Sequence, residues 1–262
     1  MSKWPLTLYL HGLLVLTSLF GAAGVQAAFE IAVTPTRFEI SGKSASRLGQ
    51  SIEITNVGRT ATELSLRTLD WALSAEGSVS YYDELRPNSC RPWVTLERRT
   101  IKVGAGVKVP FRFQIDVPAD APRTECRFML AIEGGGASLS LPVNGRIAIA
   151  VYVGINGAEP KMELTQISVK NINGKRTPMV TITNSGDAHG RLDGSLDAVD
   201  AKGLEFELAP EGTPILPGQT RSLPMSPKTE PNQPPPTITF PVKVKGTLDW
   251  ERGSFRVNAE IK

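Results

Sequence analysis

The sequence predicts an all-β protein: two β-sandwich domains in tandem behind a cleaved signal peptide. Three observations lead there. Apolar and polar residues alternate over long stretches, turn signals recur at short intervals, and no segment beyond residue 28 has the spacing of a three-turn amphipathic helix. The 24 glycines and 20 prolines among 262 residues suit many short strands and turns. With 40% hydrophobic and 21% charged positions, the chain is neither disordered nor collagen-like.

Residues 1–27 read as the signal peptide. Lys3 is a short basic start, Leu6 to Phe20 is an apolar run, and small residues follow, with Val25 and Ala27 at the −3 and −1 positions of a cleavage site. The alternative is an uncleaved membrane anchor. No later stretch approaches the ~20 apolar residues needed to span a bilayer. The expected product is exported, with no stable membrane insertion of the mature chain.

The first sandwich is expected over residues 28–156 and the second over 160–262, joined by the linker-like Gly154 to Pro160. Each is near the ~100-residue size of an immunoglobulin-like domain. Val107, Val109, Phe111, Phe113, Ile115 and Val117 form one alternating strand face; Phe128, Leu130 and Ile132 form another. Turns fall at Asn56-Val57-Gly58, Ala75-Glu76-Gly77, Gly104-Ala105-Gly106 and Gly134-Gly135-Gly136. An internal echo crosses the linker: Ile54-Thr55-Asn56-Val57-Gly58 recurs as Ile182-Thr183-Asn184-Ser185-Gly186. The stretch Pro231 to Pro236 has too few backbone donors for a central strand and reads as an exposed loop.

Composition excludes several functions. Lys plus Arg is 29 against 26 Asp plus Glu, a net charge of +3, which argues against a nucleic-acid binder. Beyond the leader, His189 stands alone and no Gly-x-Ser-x-Gly elbow accompanies it, so no enzyme is expected. It reads as a surface-loop histidine. Asp193, Asp197 and Asp200 lack calcium-loop spacing and read as a solvated turn region. Two cysteines and one histidine cannot make a four-ligand zinc site; no metal and no cofactor are expected. Cys90 and Cys126, the only cysteines in an exported chain, read as a disulfide.

Ala137 to Ile155 is the informative segment. Its odd positions are apolar almost throughout: Leu139, Leu141, Val143, then Ile147, Ile149, Val151, Val153 and Ile155. Nineteen residues at ~3.3 Å each exceed the length of one small sandwich. Either part of the row lies beyond the domain's own core, or the segment bends at Pro142 or Gly145; Leu139, Leu141 and Val143 covered by their own domain is the competing reading. An exposed apolar edge invites pairing with another chain.

From Ile31 to Tyr152 the chain resembles the periplasmic chaperones of chaperone–usher pilus assembly. The matching stretches, in order, are Val33-Thr34-Pro35-Thr36-Arg37, Ile52 to Asn56, Pro92 to Leu96, Val107 to Phe113, Val117-Pro118, Arg127 to Leu130 and Gly145 to Tyr152. That family's sandwich and its strand-addition mode are general knowledge. The resemblance implies a periplasmic chaperone that holds pilus or fimbrial subunits by donor-strand complementation and delivers them to an outer-membrane usher. Leu139, Leu141 and Val143 fall where the family's last strand fills a subunit groove, and Arg37 falls where an arginine grips the subunit's terminal carboxylate. The partner lysine of that grip is replaced by Ala148, which leaves Arg146 as a substitute or the anchoring different. The rival class is an exported structural or adhesive protein of tandem immunoglobulin-like domains.

Overall fold

The computed structural model describes residues 29–134 and 145–262. The expected signal peptide and the three candidate donor residues Leu139, Leu141 and Val143 lie outside the described residues.

Both units are β-sandwiches. The first is built from β1 (Ile31–Thr34), β2 (Arg37–Gly42), β3 (Arg47–Asn56), β4 (Thr62–Leu73), β5 (Val79–Tyr82), β6 (Val94–Leu96), β7 (Thr100–Val103), β8 (Lys108–Asp116), β9 (Thr124–Gly134) and β10 (Gly145–Ile155). One sheet runs β1-β3-β8-β6, the other β2-β10-β9-β4-β5, with β7 also on β4. The chain changes sheets at Pro35: β1 pairs with β3, whereas β2 pairs in parallel with β10. Proline supplies no N–H for a ladder, and inward parity flips across it. Ile31 and Val33 pack on the core before it, Phe38 and Ile40 after it.

The core is aliphatic with a small aromatic centre, in which Phe113 meets Phe38 and Phe128 edge-on at 5.3 and 6.1 Å. Phe29 closes one end: its ring fills the space that a Cβ at Gly134 or Gly145 would need. Val107 is not the first inward residue of its strand. It is exposed, and its N–H donates to the Gly104 carbonyl at 3.1 Å in the preceding turn. Cys90 and Cys126 are both buried and disulfide-bonded, tying the turn at Arg91–Trp93 to β9 with a Cα–Cα distance of 5.3 Å. A closed loop of this length adds roughly 3–4 kcal/mol by chain entropy.

The second sandwich comprises β11 (Met162–Ile172), β12 (Lys175–Asn184), β13 (Asp193–Val199), β14 (Glu205–Pro210), β15 (Thr220–Pro227), β16 (Val242–Trp250) and β17 (Gly253–Ile261). They follow one path, β11-β12-β15-β14-β13-β16-β17, folded over a core that includes Val180, Leu196, Leu223 and Leu248.

The internal echo has a structural meaning. Asn56 ends β3 and Asn184 ends β12, and both are buried. Asn56 Nδ2 donates to the carbonyls of Thr60 and Val103 at 2.7 and 3.1 Å, while its Oδ1 accepts from Gly58 N–H at 2.9 Å. Asn184 Nδ2 donates to Ala188 and Ile215, both at 2.8 Å, and its Oδ1 accepts from Gly186 N–H at 2.9 Å. One short amide thus braces the same corner of each sandwich, satisfying carbonyls that burial would otherwise orphan. Asp200, expected in solvent, is buried because its carboxylate accepts backbone N–H groups of Lys202, Leu204 and Thr239 at 2.8–3.0 Å.

Candidate functional site

The last strand of the first sandwich carries two features. Along its full length, β10 pairs with β9, from Gly145 opposite Gly134 to Ile155 opposite Thr124. On its other side β2 covers only Ala150 to Ile155. Gly145 to Ile149 therefore presents a backbone edge with no strand beside it among the described residues. The N–H of Asn156 donates to the Gly42 carbonyl at 2.9 Å, toward β2. With a two-residue period, the N–H groups of Arg146 and Ala148 aim at the open edge. Ile149, Val151, Val153 and Ile155 are buried in the core, and Ile147 packs against it.

The even residues of β10 face outward, toward the second sandwich. Ala148, Ala150 and Tyr152 lie in an apolar cluster with Leu69, Trp71, Met129 and Leu216, the last contributed by the second sandwich. Beside this cluster the two units are joined by charge. His189 stacks on Tyr152 with ring centroids 3.8 Å apart. Its Nδ1 lies 2.6 Å from Glu125 Oε2 and its backbone N–H donates to the same oxygen at 3.2 Å. Its Nε2 lies 3.5 Å from Glu39, a carboxylate that Arg37 approaches at 2.7 Å and Arg191 at 3.6 Å. Asp187 accepts from Glu125 N–H at 2.8 Å through its carbonyl and from Arg123 at 2.7 Å through its carboxylate.

The surroundings set the ionisation of these groups. Glu39 is pulled down to about 2, first by His189, whose Nε2 lies 3.5 Å away, then by the charges of Arg37 and Arg191, against the cost of burial. Burial works against a charged His189, but the bond to Glu125 and the nearby Glu39 carboxylate outweigh it and raise its pKa. Burial pushes Tyr152 up to about 12. His189 is thus not a surface-loop residue. Its loop follows the Asn184 brace, which turns the ring onto β10, and two carboxylates make burial tolerable. Only its being the sole histidine beyond residue 28 singled it out in the sequence; Glu39, Glu125 and Arg191 gave no signal.

Arg37 and Arg146 are not brought together. Arg37 sits in register with Ala150, four residues from Arg146, or about 13 Å along the strand. Arg146 is instead 2.6 Å from Glu133, a mostly buried carboxylate also bonded by Arg67 at 3.1 Å. Arg127, on β9 opposite Tyr152, was missed by sequence reasoning. Its guanidinium lies over the Trp71 ring at 5.5 Å, and its buried Nε, like Trp71 Nε1, has no hydrogen-bond partner among the described residues.

No family model matches the chain, and neither does any curated protein. Solved structures do resemble it in fold. The YadV chaperone is 12% identical, with 88% of this chain and 99% of that one covered and a TM-score of 0.49. The complex of the CsuC chaperone with the CsuE tip subunit of Acinetobacter baumannii is 16% identical, with coverages of 88% and 97% and a TM-score of 0.45. The CupB2 chaperone of Pseudomonas aeruginosa is 11% identical, with coverages of 87% and 98% and a TM-score of 0.45. No helix among the described residues is long and apolar enough to cross a membrane.

Proposed function

We propose that this chain is a periplasmic chaperone that captures pilus or fimbrial subunits by lending them a strand and passes them to an outer-membrane usher. The observation that carries the reading is the open edge of β10 at Gly145 to Ile149, the end of the strand that follows Leu139, Leu141 and Val143 in the sequence. Backbone pairing along such an edge supplies affinity, and alternating side chains supply register. No covalent step and no cofactor are involved. Arg37 is the anchor for the subunit's terminal carboxylate, exchanging its present partner Glu39 for the incoming one.

Co-expression with a strand-deficient subunit tests this. A one-to-one complex should co-purify, whereas a structural or adhesive protein would polymerise or stay alone. Ala148→Pro removes a donor from the open edge while leaving the β9 ladder, whose donors come from odd residues. Losing one backbone bond should weaken capture on the order of tenfold. Arg37→Ala forfeits a charge-assisted contact and should weaken it tenfold or more. Arg146→Ala should stay within about threefold, because Arg146 already serves Glu133 and a rim charge contributes little. Normal capture by both Ala148→Pro and Arg37→Ala would overturn the assignment.

A further inference from the structure

We propose that a groove on the second sandwich binds an extended peptide segment of a partner protein, one in which basic and apolar residues alternate. The groove opens where β14 and the chain after β15 diverge. Strand β14 pairs with β13 from Glu205 to Leu208, but with β15 only from Leu208 to Pro210. The last bond across the gap is Lys228 N–H to the Glu207 carbonyl at 2.9 Å. Beyond it the proline-rich segment leaves the sheet and forms the opposite wall. By the strand's two-residue period, the backbone N–H and carbonyl of Glu205 point the same way as those of Glu207. No strand pairs with Glu205 on that side among the described residues.

The groove holds about 1140 Å³, more than a small-molecule site usually does. Its apolar surface comes from Val199 and Leu204, 38% and 42% exposed, with Phe206 and Pro234. Its rim is acidic. Glu207 is paired with Lys228 at 2.9 Å, but Asp197, Glu205 and Glu230 have no ion-pair partner among the described residues. This local charge opposes the net +3 of the whole chain, so attraction of a basic segment is a property of the groove and not of the molecule. An open backbone edge, apolar wells and alternating carboxylates suit an added strand with Lys or Arg at every second position.

The test uses the full mature chain and fluorescein-labelled eight-residue peptides of alternating Lys and Leu, Glu and Leu, or Ser and Leu, read by anisotropy. The Lys-Leu peptide is expected to bind at least tenfold more tightly than the other two, and to weaken as salt is raised. Glu205→Lys and Leu204→Ser, both at exposed positions, should each reduce that binding at least tenfold with far-ultraviolet circular dichroism unchanged. Equal binding of all three peptides, or tight Lys-Leu binding untouched by either variant, overturns the proposal. Subunit capture by β10 should be unchanged in both variants, so failure here and failure of strand donation are read separately.

Discussion

Replacing Leu139 and Leu141 together with Ser is expected to weaken subunit capture by roughly 3–6 kcal/mol, since each aliphatic side chain buried in a subunit groove contributes about 1.5–3 kcal/mol. That exceeds the backbone term removed by Ala148→Pro, because two apolar anchors outweigh one net hydrogen bond. In cells the released subunits should aggregate or be degraded. Melting temperature and subunit affinity measured on the same double variant decide between the two readings of the apolar row. Strand donation expects a large affinity loss with little change in melting. If the leucines served the chain's own core, folding would lose about 2–5 kcal/mol per truncation, and the drop in melting temperature would remove the main support for donation.

The fold was legible because its rules are local. Period-two alternation in Phe111 to Val117 and in Ile147 to Ile155 sets which side chains go inward, and Asn-Gly corners set where strands stop. Even the echo of Ile54 to Gly58 in Ile182 to Gly186 translated into one brace used twice. The errors have the same origin. Val107 continues an alternating pattern in sequence, but the Gly104 turn claims its N–H before the strand begins. Asp200 looked solvated because a carboxylate that caps three backbone N–H groups has the same local pattern as one in water.

The site was legible only in part. Arg37 and the row through Ile149 stand out by resemblance and period. The joint does not, because it is assembled from β2, β9, β10 and the loop after β12, elements separated by as many as 150 residues: Glu39 and His189 meet only after both sandwiches have formed. Nothing near Glu125 hints that it will receive a histidine 64 residues away. Arg146 illustrates the reverse: it lies on the right strand and face, but Glu133, opposite it on β9, occupies its charge.

His189→Ala should loosen the joint by about 3–5 kcal/mol, because it leaves the buried Glu125 carboxylate without the partner that lies 2.6 Å away. The same clamp makes the joint respond to pH. His189 has a folded pKa above its ordinary 6.5, so the stability it contributes is complete below 6.5 and is lost as pH rises through the raised value. Glu39 is lowered from 4.5 to about 2, so its contribution is complete above 4.5 and is lost as pH falls toward 2. The joint is therefore tightest between about 4.5 and 6.5. Tyr152, stacked on the ring, does not cancel this: its hydroxyl, pushed up to about 12, stays neutral through pH 9. Small-angle scattering and hydrogen exchange at Glu125 and Tyr152 should report a looser joint at pH 9 than at pH 5.5 in the natural chain. His189→Gln, which keeps a donor for Glu125 but no titratable charge, should show no such difference. If the natural chain also shows none over that interval, titration of His189 does not govern the joint there, and the pH response is overturned.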